Sequence, residues 1–180
     1  MCLNGPAKKI RKPSIKRLFS QHSDEFQQYI EKEKDLSVIL LKSHLLIEYY
    51  LDHLILLLKE NHGNLRRIGF YEKLQILEKQ SPFFKKPGGT MLKSLYALNN
   101  VRNNLAHQLN FEISQSELDA IGYEIGREYI IEKYKINGDR RKLLLWLIKN
   151  ITGDLYFLLA IELRDPGSTQ FQSELLKVHD

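Results

Sequence analysis

The sequence predicts an all-α bundle, and three observations carry that expectation. Two long stretches, residues 35–60 and 140–163, are apolar over most of a helical circumference. Each flanks shorter segments with apolar residues at helical spacing, separated by Gly, Pro and Asn punctuation. No strand-rich region, βαβ pattern or internal repeat interrupts them.

The elements follow in order. Residues 1–34 form a basic N-terminal arm with short helices: Lys8, Lys9, Arg11, Lys12, Lys16 and Arg17 all precede the first acid, Asp24. The arm is either a solvated tail or a nucleic-acid contact. Residues 14–34 fit one or two short helices, with Ser23-Asp24 capping a Phe26, Tyr29, Ile30 face. The helical domain spans 35–163. Its first helix, residues 35–60, carries Val38, Leu41, Leu45, Tyr49, Leu54 and Leu58, with its polar residues confined to an arc of about 140°. That much apolar surface predicts packing on several sides, divided between core and dimer interface. Glu48 and Asp52 near its middle argue against membrane insertion.

His62-Gly63-Asn64 ends this helix, and Phe70–Lys79 predicts a shorter one with Leu74 and Leu77 inward. The loop at 81–89 should tuck Phe83 and Phe84 against the core. A helix from Thr90 to His107 follows, and Leu109, Phe111 and Ile113 then alternate as in a short extended piece. Ser114 and Glu117 fit a capping box opening a helix to about Tyr134. Gly122 and Gly126 within it suggest either close approach by a neighbouring helix or two tolerated glycines. Asn137-Gly138-Asp139 is a turn. The last helix runs from Arg140 to Leu163, with Gly153 as a possible kink, and 164–180 is read as a mobile tail.

Composition narrows the function classes. Hydrophobic residues at 43% and charged residues at 27% are ordinary for one globular domain of 180 residues. A net charge of +5 favours an anionic partner. Cys2 is the single cysteine, so neither a disulfide nor a cysteine-rich metal site is available within the chain. The basic N-terminus lacks an apolar segment behind it, which predicts a cytoplasmic protein without a signal peptide, and leaves the Asn150-Ile151-Thr152 sequon a chance match. No phosphate-binding glycine loop, nucleophile elbow or zincin spacing occurs, so no cofactor or metal is expected.

The chemistry concentrates at the end of the 90–107 helix. Met91, Leu95, Leu98 and Leu105 form an apolar stripe, and Arg102 falls in its middle. A guanidinium stays charged at working pH, so this position asks for an anion. His107 follows five residues later, with Asn103 and Asn104 between. Arginine can hold phosphate oxygens through its planar fork, and histidine can move a proton near neutral pH. Five residues of continuous helix separate the two side chains by about 140°. Either the helix ends between them, or two copies of the chain complete one cleft. The plainer reading pairs Arg102 with a core carboxylate such as Glu48 or Asp52 and makes His107 a helix cap. His44 and Glu48, four apart on the first long helix, are candidates to flank the cleft, as packing residues or more.

Arg102, Asn103 and His107, late in a helix of an all-helical chain, resemble the motif of the HEPN superfamily, in which an Arg precedes a His by a few residues. The resemblance covers roughly residues 35–163, and the motif alone matches residue by residue. It implies a helical bundle with two long apolar helices that dimerises, and a metal-independent endoribonuclease in a toxin, phage-defence or RNA-processing setting. Arg102 would stabilise the scissile phosphate, His107 would transfer the proton, and Asn103 would orient the substrate. RNA, a second copy and an antitoxin or regulatory protein are the partners implied. Two alternatives stand beside it: a catalytically silent HEPN domain that binds nucleotide or RNA, and a helical regulatory or interaction protein. One departure counts. Some HEPN toxins carry a modifiable tyrosine two residues after the histidine, where this chain has Leu109.

Overall fold

The computed structural model describes residue 24 and residues 26–58, 63–81, 83–84, 91–108 and 111–162. The basic arm at 1–13, the tail from 164, and Leu109 lie outside the described residues, as do the proposed helix end at His62 and the start of the motif helix at Thr90.

The described chain is helical, with no strand among the described residues. Six α-helices lie among the described residues: α1 (Leu36–Leu56), α2 (Phe70–Gln80), α3 (Leu92–His107), α4 (Gln115–Gly122), α5 (Arg127–Ile136) and α6 (Arg140–Glu162). A π-turn at Gln27–Glu31 precedes α1 and a 3-10 turn at Leu65–Arg67 precedes α2.

Local chemistry sets most of the ends. The Asp35 carboxylate accepts from Ser37 N at 2.7 Å and Val38 N at 3.2 Å, satisfying two free donors at the start of α1. The expected capping box opens α4: Ser114 Oγ accepts from Glu117 N, and Glu117 accepts from Ser114 N at 2.8 Å. The helix expected from Ser114 to Tyr134 is instead two. Gly126 adopts φ +73°, which a side chain resists, and the chain turns there between α4 and α5. Gly122 does mark a close approach. A Cβ at that position would lie 2.4 Å from the Tyr129 ring of α5. Asn137, at φ 49°, and Gly138, at φ 84°, form the expected turn into α6.

α1 and α6 are the spine, packed against each other; Ile47, Tyr50, Leu51 and Leu54 of α1 and Leu144, Leu147, Ile151 and Leu155 of α6 are all buried, and the Tyr50 and Tyr156 rings meet edge-on at 5.8 Å. α2 and α3 cover α1, while α4 and α5 rest on α6. Two buried hydroxyls inside the spine bond back to their own helices, Ser43 to Ile39 O and Thr152 to Ile148 O, so neither of these donors is stranded. The core reaches upstream of residue 35. Phe26 and Ile30 are buried, whereas Tyr29, expected on the same face, is exposed. Arg141 clamps this segment by donating to Glu31 O and Glu33 O. Phe84 is buried and Phe83 half-buried against the core, as the sequence predicts.

α6 continues through Gly153 without a break. The sequon lies inside it, with Thr152 buried and Asn150 Nδ2 donating to Trp146 O. Residues Arg140–Ala160 have the length and apolarity to cross a membrane; half of the stretch is buried against the other helices, as in the core helix of a bundle. The opposite side of the spine is different. Leu41, Leu45, Tyr49 and Leu56 recur along α1 and stand exposed, at 43%, 66%, 42% and 53%.

Candidate functional site

One face of α3 changes character halfway along the helix. Leu92 and Leu95 begin it as buried core, and Asn99, Arg102 and Asn103 continue it as polar residues at i, i+3 and i+4. The start of the helix is fixed by Glu124, whose carboxylate accepts from Lys93 N at 2.8 Å and Ser94 N at 3.3 Å. Its end is tied to α4, where Asn104 Nδ2 donates to Glu117 Oε1 at 3.2 Å. Burial would raise the Glu117 carboxyl, but the bonds from Ser114 and Asn104 outweigh it and hold the group below the usual range.

His44 of α1 faces this polar segment. Its Nε2 donates to Asn99 Oδ1 at 3.2 Å, and its ring lies 4.2 Å from that of Phe70. Both His44 and Asn99 are buried. The amide oxygen can only accept, so Nε2 is the donor in this bond. Burial pushes the His44 pKa down, the Asn99 bond and Glu48 oppose this, and the positive charges of Arg102 and Lys73 add to the depression. Those charges put Arg102 and Lys73 in the neighbourhood of the imidazole.

Arg102 is half-buried, and Nη1 donates to Asn103 Oδ1 at 3.2 Å. Among the described residues it forms no ion pair. The pairing of Arg102 with Glu48 or Asp52 does not occur, because both carboxylates are taken by Lys73. The Lys73 ammonium, on a side chain only 2% exposed, stands 2.7 Å from Glu48 Oε1 and 2.7 Å from Asp52 Oδ1. Burial would lower the Lys73 pKa, yet the hydrogen bonds it donates to Asp52 and Glu48 prevail and raise it. A core cation was needed here; it is Lys73, not Arg102.

His107 closes α3 as its last helical residue, and the chain leaves through Gln108 in an extended conformation. The imidazole is exposed and makes no hydrogen bond among the described residues, so it does not act as a side-chain cap. The helix is continuous from Arg102 to His107, which removes the possibility that it ends between them. The two side chains keep their angular separation of about 140° and are offset by roughly 7.5 Å along the axis. Asn103 lies between, four residues before His107. Within one chain, Arg102, Asn103, Asn99 and His44 are gathered; His107 stands one turn beyond.

The sequence pattern missed Asn99 and Lys73. Asn99 carried a usable signal, three residues before Arg102 and four before Asn103 on one helical face. Lys73 carried none, since a lysine between Leu74 and Tyr71 reads as an ordinary exposed position. Among the described residues no group of three His, Cys, Asp or Glu side chains is placed to hold a metal ion. Comparison with family models, curated proteins and solved structures finds no match to this chain.

Proposed function

We propose that this chain is a metal-independent endoribonuclease of the HEPN type, acting as a homodimer in the cytoplasm. The observation that carries the reading is Arg102, a half-buried guanidinium whose hydrogen bond is to a neutral amide and which has no counter-charge among the described residues. A cation so placed is stabilised by an incoming anion, and its fork matches two phosphate oxygens. Asn103 adds a neutral donor beside it. The exposed imidazole of His107 is free to take the proton of the attacking 2′-hydroxyl or to protonate the leaving 5′-oxygen.

A second copy solves the angular problem. Residues about 140° apart on one straight helix cannot both face one phosphate, whereas Arg102 of one protomer and His107 of another can. The exposed Leu41, Leu45, Tyr49 and Leu56 supply an apolar stripe on α1 for that association. RNA is the substrate in this reading, and an antitoxin or regulatory protein is a further partner. No membrane association is included.

The test is cleavage of a mixed RNA pool in EDTA, with wild type beside His107→Ala and the oligomeric state measured by sedimentation. The expected result is wild-type cleavage leaving 2′,3′-cyclic phosphate ends, slowed about 10²- to 10⁴-fold by the substitution, from a dimeric protein. A folded monomer without cleavage would overturn the reading. RNA binding without cleavage would favour a silent binding domain, for which the separation of Arg102 and His107 in one chain is the supporting feature.

A further inference from the structure

The two carboxamides on the polar face of α3 are both held by their oxygens. Asn99 Oδ1 accepts from His44 Nε2 at 3.2 Å, and Asn103 Oδ1 accepts from Arg102 Nη1 at 3.2 Å. A carboxamide accepts at its oxygen and donates only from its nitrogen. With both oxygens engaged, what remains of each side chain is an NH2 group. Neither Nδ2 donates to any described residue.

For Asn99 this is unusual, because the residue is only 8% exposed. A donor in so enclosed a place costs free energy unless an acceptor reaches it. The bond to His44 does not explain the choice of residue, since any acceptor of similar size would serve His44 as well. The unused amide end points instead to a ligand.

The neighbouring groups define what that ligand must be. Asn99, Arg102 and Asn103 stand at i, i+3 and i+4, where side chains on a helix are neighbours. The Arg102 guanidinium spends one N–H on Asn103 and cannot accept. The groups left at this face are therefore all donors, gathered about one positive charge. Nearby carboxylates are occupied: Glu48 by Lys73, and Glu117 by Ser114 and Asn104. A ligand with hydroxyl or amine donors would find nothing to accept them. An anion with several acceptor oxygens, such as a phosphodiester, fits the whole set.

We propose that Asn99 is a third phosphate-binding residue of this site and that His44 is its positioning residue. Asn99 Nδ2 donates to a non-bridging oxygen of the phosphate that Arg102 holds. The His44 bond keeps the amide from turning its oxygen toward that anion. The inference deepens, and rests on, the reading of the chain as a ribonuclease, and it does not involve His107.

The test uses the full-length chain and a fluorescent 2′-O-methyl RNA decamer, which lacks the hydroxyl needed for cleavage. Anisotropy at fixed salt gives the affinity. Asn99→Asp still accepts from His44 but replaces the donors with negative charge, and it should weaken binding about 100-fold; Asn99→Ala should weaken it about tenfold. His44→Phe keeps a ring against Phe70 and frees the amide, for a loss of about threefold, and His44→Gln, which restores a donor, should recover it. His107→Ala should bind as wild type. The Asn99 side-chain amide resonances of the wild type should also move on adding the decamer, a measurement that needs no variant to fold.

Asn99 variants that bind within twofold of wild type would overturn the proposal, as would unmoved Asn99 resonances or a wild type that does not bind the decamer. RNA cleavage by the wild type together with unchanged binding by Asn99→Asp would leave the ribonuclease reading standing and remove Asn99 from it. Decamer binding lost in Asn99→Asp, from a wild type that does not cleave, would uphold Asn99 and sink the nuclease. Displacement of the decamer by AMP at equal phosphate concentration would overturn the proposal in favour of a mononucleotide.

Discussion

Lys73 and Arg102 are two cations in neighbouring parts of one bundle, and they are treated in opposite ways. Lys73 is buried to 2% and held by two carboxylates at 2.7 Å each. Arg102 is half-buried and bonded to one neutral amide. The first arrangement is what burial of a charge requires: desolvation is offset by close opposite charges and hydrogen bonds. The second leaves a charge with a standing demand for an anion. Glu48 stands near enough to act on His44, yet it is committed to Lys73, as is Asp52. The difference teaches that the fold is not short of carboxylates. It leaves Arg102 without one.

Breaking the structural pair should have the largest effect. Lys73→Met strands Glu48 and Asp52 beside apolar core, and the expected loss is about 3 kcal/mol of stability, measured by urea unfolding at neutral pH. A loss below about 1 kcal/mol would mean the pair is solvated and the contrast with Arg102 overstated. The raised pKa of Lys73 also fixes a sign: its contribution is present below its ordinary value of 10.5 and is lost as pH rises through the higher folded value.

Arg102→Ala should behave differently in the same assay, changing stability by no more than about 0.5 kcal/mol in either direction. No counter-charge is left stranded by its removal. A loss approaching that of Lys73→Met would reveal a structural partner for the guanidinium and sink the distinction.

The smallest effect concerns His44, which links the two regions. Its pKa is depressed by burial below 6.5, so the unfolded chain binds a proton that the folded chain does not. Stability should therefore fall as pH drops below 6.5, levelling only once the folded pKa is passed. His44→Phe should flatten that decline, read as the change in unfolding midpoint between neutral and acidic pH. An unchanged slope would assign the acid sensitivity to other groups.

The helices were legible because their signals are local. Asp35, the Ser114–Glu117 box and Asn137-Gly138 announce ends through side-chain and backbone chemistry that the sequence displays directly. The break at Gly126 was not, since a glycine in a periodic segment reads equally as tolerated or as a turn, and only its φ of +73° decides. The motif residues Arg102, Asn103 and His107 were legible as a spacing. Their partners were not, because which carboxylate meets which cation depends on packing between α1, α2 and α3. Lys73, between core positions of α2, took the carboxylates assigned to Arg102, and Asn99, readable by its spacing to Arg102 and Asn103, found its partner His44 only across the helix pair.

The most direct measurement is the single-turnover cleavage rate of one end-labelled RNA in EDTA, with wild type, Arg102→Lys and Arg102→Ala compared at equal folded concentration. If Arg102 is held open for the scissile phosphate, Arg102→Ala should be slower by about 10²- to 10³-fold with unchanged stability. Arg102→Lys should fall between, since it keeps the charge and loses the fork. Equal rates for all three proteins would contradict the account.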